Sequence, residues 1–131
     1  MTLHLKIIGV LLMLLSLIHI LFPRYFKWKD ELKGLTLINR QVMYIHTFFI
    51  ALVVMQMGIL CFNYSAELLR PGLGRTVTLG LGIFWGARLI VQFFGYSSLL
   101  WRGKRFETMI HFLFAILWCY FTTVFFIVAL Q

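Results

Sequence analysis

Four long apolar runs, separated by short stretches that hold most of the charge, set the pattern of this chain. They cover about residues 7–22 (IIGVLLMLLSLIHILF), 41–62 (QVMYIHTFFIALVVMQMGILCF), 76–100 and 109–130 (MIHFLFAILWCYFTTVFFIVAL). About 20 helical residues cross a hydrocarbon core. Only helices or closed barrels satisfy the backbone in lipid. The runs are continuous and lack the period-two alternation of barrel strands, so each predicts a helix. The expected fold class is an all-α integral membrane protein, a four-transmembrane-helix bundle with short loops, formed by residues 1–131 as one domain.

The first run is the shortest. Leu3 and Leu5 can lengthen it while Lys6 snorkels to the headgroups, and Pro23 is expected to end it. It has the charge and apolar stretch of a signal peptide, but the following LFPRYFKWKD offers no small-residue cleavage site. A retained helix is therefore expected.

Composition sharpens the picture. Of 131 residues, 62% are hydrophobic and only 12% charged. A soluble domain is nearer half apolar and a quarter charged, so this chain cannot cover itself with polar surface in water. The net charge of +8 is concentrated between spans. Arg24, Lys27, Lys29, Lys33 and Arg40 lie between the first and second, and Arg102, Lys104 and Arg105 between the third and fourth. The opposite side carries only Lys6, Arg70 and Arg75. The positive-inside rule then places both basic loops in the cytoplasm and both termini outside it, with a bacterial inner (plasma) membrane as the expected location. Basic residues that flank spans face anionic lipid, so the bilayer, not nucleic acid, is the expected partner. A homo-oligomer or a larger membrane complex is also expected, since four short helices enclose little space.

The first loop, PRYFKWKDELKGLTLINR, has apolar positions Phe26, Leu32, Leu35 and Leu37 and reads as an amphipathic connector at the interface. The second, NYSAELLRPGLGR, reads as a turn on Pro71, Gly72 and Gly74. Tyr25, Trp28, Tyr64 and Trp101 fall near span ends, as an aromatic belt does. Cys61 and Cys119 differ in expected depth by roughly 13 Å, too far for a disulfide.

Candidate chemistry lies in the polar residues inside the spans. From the expected span ends, His19 is about 6 Å from the cytoplasmic end, His46 about 9 Å, Gln92 about 13 Å and His111 about 6 Å, with Arg88 near the midplane. Every helix thus carries a polar side chain into the same half of the bilayer. Arg88 and Gln92 are four apart and share a helix face with Trp85 and Tyr96. Gly82 and Gly86 form a close-packing pair on another side, expected to meet a different neighbour. Glu107 is four residues before His111 and is expected to orient its imidazole; Asn39 shares a face with His46.

Arg88 carries the strongest implication. An arginine at the centre of a membrane helix costs about 2.5–3.5 kcal/mol even on insertion scales. The chain has four acids, and none lies within a span. Arg88, Gln92 and His46 are therefore the expected ligand-binding residues, with an anionic group as the occupant. His19, His46 and His111 are the expected metal or cofactor ligands, with haem b as the candidate group and Arg88 at a propionate. Glu107 and Asn39 are the expected supports. Three function classes follow: a protein that binds a cofactor or an anionic amphipathic ligand, alone or as a subunit of a larger complex; a membrane enzyme using histidine as acid or base on a lipid-like substrate; and a small oligomeric transporter or channel.

Overall fold

The structure, a computed structural model, describes residues 1–96, 98–100 and 102–131, Ser98 by its backbone alone. The place expected for Trp101 in an aromatic belt lies outside the described residues. Every regular element described is helical: α1 (Thr2–Tyr25), α2 (Trp28–Glu31), α3 (Leu37–Asn63), α4 (Ser65–Leu68), α5 (Leu73–Phe94), a single 3₁₀ turn (Ser98–Leu100) and α6 (Arg105–Leu130). Among the described residues α1, α3, α5 and α6 are long and apolar enough to cross a membrane. The all-α membrane class follows directly from the four continuous apolar runs.

Two boundaries differ from expectation. α1 passes through Pro23, because a proline in the last turn forfeits one backbone bond and the next one is kept: Phe26 N–H donates to the Phe22 carbonyl at 2.9 Å. The helix ends where Lys27 takes a left-handed conformation, φ 54°. α5 stops at Phe94 instead of running to Leu100. Gly95 caps it, its N–H on the Val91 carbonyl at 2.8 Å, and the chain leaves the helix although apolar residues continue. Arg88 therefore lies six residues from the end of α5, about 9 Å along its axis, and not at the middle of its span.

The chain forms two compact units, residues 3–65 and residues 66–131, the latter grouped with the first two residues. In the first unit α1 and α3 run antiparallel. A Cβ on Gly9 would stand 2.7 Å from the Gly58 carbonyl oxygen and 2.8 Å from the Phe62 nitrogen, so the two backbones meet where only glycine fits. One end further along, Ser16 Oγ donates to the Ala51 carbonyl at 2.6 Å. Trp28, expected in an aromatic belt, is instead buried, with Tyr44 edge-on to it at 5.3 Å. Tyr25 and Tyr64 are exposed.

In the second unit α5 and α6 form an antiparallel hairpin. Arg75 donates to the Gln131 carbonyl, tying the start of α5 to the end of α6. A Cβ on Gly82 would reach the Phe126 ring at 3.3 Å, and one on Gly86 the Thr122 methyl at 3.5 Å. The loop before α5 contains α4 as well as the expected turn. Gly72 there has φ 87°, and a Cβ on Gly74 would meet the Leu68 carbonyl oxygen at 2.9 Å.

Candidate functional site

Within the α5–α6 hairpin the expected polar residues meet around one side chain, Gln92, which is 6% exposed. Arg88 and Gln92 are one turn apart on α5, and Arg88 Nη1 donates to Gln92 Oε1 at 3.2 Å. From α6, Trp118 Nε1 donates to the same oxygen at 3.2 Å. On the other end of the amide, Gln92 Nε2 stands 2.8 Å from His111 Nδ1. His111 and Trp118 reach one residue of α5 because they are seven apart, two turns on one face of α6.

These bonds fix each other's sense. A guanidinium N–H and an indole N–H can only donate, so the atom between them must be the amide oxygen. The amide NH₂ then faces His111, and Nδ1 must accept. In this pattern Nε2, not Nδ1, is the donor nitrogen of the His111 ring. Glu107, expected to orient this ring, is exposed in the first turn of α6, where its charge complements the helix N-terminus.

Aromatic rings complete the surroundings of Arg88, which is half-buried. Its guanidinium carbon lies 5.2 Å from the Trp118 ring centroid and 5.5 Å from that of Tyr96. Both are within cation–π range. Trp118 in turn stacks on Trp85 at 5.0 Å and 19°. Among the described residues no carboxylate pairs with Arg88. Among those residues its charge is oriented by a hydrogen bond and two ring faces.

The glycine stripe and the polar stripe of α5 were expected to face different neighbours. Both meet α6. The glycines meet it in the half nearer the start of α5, and Gln92 meets it near the other end, where its long side chain and the Trp118 indole span the gap.

The remaining expected residues belong to the first unit. His19 donates through Nδ1 to the Leu15 carbonyl at 2.8 Å and tilts against Phe22 at 4.6 Å. Its ring thus carries the proton on the nitrogen opposite to that in His111. His46 is exposed on α3. Asn39 is exposed in the first turn of α3, its backbone N–H on the Thr36 cap at 3.4 Å. Among the described residues no group of three or more His, Cys, Asp or Glu is placed to hold a metal ion.

Trp118 is the residue that sequence reasoning missed. Its signal was present: an aromatic with a donor N–H, seven residues after His111 on the same face. Comparison with protein-family models, with curated proteins and with solved structures finds no significant match to this chain.

Proposed function

We propose that this is a small polytopic membrane protein that binds an anionic amphipathic molecule, its acidic head against Arg88 and its apolar part among the helices and lipid. One observation carries this reading: the Arg88 guanidinium is locked in place by Gln92 and two aromatic rings, with no carboxylate opposing its charge among the described residues. A planar fork that stays charged when dehydrated suits carboxylate or phosphate in two-point fashion. Gln92 holds one arm of that fork, and Trp118 and His111 hold Gln92.

The depth of Arg88 fits a headgroup. At about 9 Å from the end of α5 it is within reach of the interface. The following loop carries Arg102, Lys104 and Arg105. With that loop in the cytoplasm, as the charge bias favours, the site opens towards the inner leaflet of a plasma membrane and both termini lie outside.

The hydrogen-bond pattern favours this reading over haem. Iron takes a histidine nitrogen lone pair, and a ligating imidazole usually donates its other N–H to an acceptor. In His111 the proton sits on Nε2 and Nδ1 accepts from Gln92. Ligation through either nitrogen would break that arrangement.

The test uses delipidated protein and three probes of equal chain length: an alkyl phosphate, an alkyl carboxylate and an uncharged alkyl glucoside. Either anion should raise the melting temperature more than the glucoside does, and the excess should vanish in Arg88→Gln. Equal shifts from all three probes would refute the proposal. A haem Soret band in protein purified from haem-replete cells would support the competing assignment.

A further inference from the structure

The Arg88 cluster also restricts the kind of acid that can occupy it, an inference that rests on the anion-binding reading above. Arg88 Nη1 is taken by Gln92 Oε1. Nε–H and the neighbouring Nη2–H lie side by side in the guanidinium plane. They bond no atom among the described residues and form a two-donor edge. Gln92 has little left to offer a ligand there. Its oxygen already accepts from Arg88 and Trp118, and its NH₂ faces His111. The Trp118 N–H is committed to the same oxygen.

The rings narrow the approach further. The Trp118 and Tyr96 ring faces look onto the guanidinium carbon, with centroids at 5.2 Å and 5.5 Å. A ring face carries the negative end of the aromatic quadrupole, so it attracts the guanidinium and repels an anionic oxygen. Oxygens are favoured along the Nε–Nη2 edge and disfavoured beside the rings. Charge sets a second limit. Gln92, Trp118 and Tyr96 add no positive charge, so this cluster presents the single charge of Arg88. A monoanion neutralises it. A dianion leaves a net negative charge beside a half-buried side chain, where water compensates it poorly.

We infer that the head bound at Arg88 is a carboxylate, and that the ligand class is a monocarboxylate with a long apolar chain. A carboxylate is planar, carries one charge and has two oxygens, which Nε–H and Nη2–H meet in parallel. A phosphomonoester carries about −1.5 to −2 at pH 7 and brings a third oxygen that this edge does not reach. A sulfonate has the third oxygen without the second charge. The two grounds for selection, oxygen count and charge, can therefore be measured apart.

The experiment is calorimetric titration of delipidated wild-type protein with octanoate, octanesulfonate, octyl phosphate and octyl glucoside, each kept below its micelle concentration. At pH 8 octanoate should bind about tenfold tighter than octanesulfonate, the effect of one unmatched charged oxygen. Octyl phosphate is read as a ratio to octanesulfonate, in which any titration of the protein that acts on both probes cancels. From about pH 5.5 to pH 8 its relative affinity should fall about tenfold, as the second phosphate proton, with a pKa of about 6, leaves. Octanesulfonate binding as tightly as octanoate, or a phosphate ratio that stays level across this range, would overturn the carboxylate assignment and leave Arg88 as a general anion anchor. Octyl glucoside binding as tightly as octanoate would instead remove the anion site itself.

Discussion

Gln92 Nε2 and His111 Nδ1 stand 2.8 Å apart across the α5–α6 hairpin, and the two donors on the other end of the amide fix the direction of this bond. The first prediction follows. In ¹⁵N spectra of the purified protein, His111 should show an unprotonated Nδ1 and a protonated Nε2. The reverse pattern would mean that Gln92 presents its oxygen to His111, and that Arg88 and Trp118 have lost their acceptor.

Gln92→Glu tests the same network from the other side. A carboxylate still accepts from Arg88 and Trp118 but cannot donate to His111. The imidazole proton should move to Nδ1, visible in the same spectra. The new negative charge should also neutralise Arg88, so anionic alkyl probes should no longer raise the melting temperature. Retained probe binding would show that the guanidinium is not the anchor.

The two stacked indoles should respond differently to loss of their N–H. Trp118 Nε1 is bonded to Gln92, whereas Trp85 Nε1 is buried with no partner among the described residues. Replacement by phenylalanine removes ring volume in both cases. Only Trp118→Phe also removes a hydrogen bond, so it should cost about 1 kcal/mol more than Trp85→Phe. Thermal unfolding in one detergent checks the order.

Gly9→Ala should destabilise the chain by about 1–3 kcal/mol, because the added methyl meets Gly58 and Phe62 backbone atoms that cannot turn aside. Gly80→Ala, where a Cβ meets nothing within 4 Å, is the matched control and should be neutral or slightly stabilising. Equal melting temperatures for the two variants would contradict the close approach of α1 and α3.

The four long helices were legible because continuous apolar runs of membrane length admit little else. The end of α5 was not, because FFGYSSLL keeps the hydropathy of a span after Gly95 has closed the helix. That one boundary shifted the depth of Arg88. α2 was hidden for a different reason: four residues, three of them charged, carry no period, and the left-handed turn at Lys27 has no sequence signature. The Arg88–Gln92 contact was legible from spacing along one helix. The Gln92–His111 contact depends on how α5 and α6 pair, which spacing within each helix does not encode.

The most direct measurement of the central claim counts anionic molecules retained by the protein. Native mass spectrometry of wild type, Arg88→Lys and Arg88→Leu, each released from the same membranes, gives that count, with melting temperatures measured in parallel. Wild type should hold a stoichiometric anionic amphiphile. Arg88→Lys, which keeps the charge and loses the fork, should hold less. Arg88→Leu should hold none and melt no lower than wild type, because a half-buried charge with no opposing carboxylate and its desolvation cost have been removed. If Arg88→Leu unfolds while Arg88→Lys retains every bound anion, Arg88 is a structural tether within the hairpin and not the floor of a binding site.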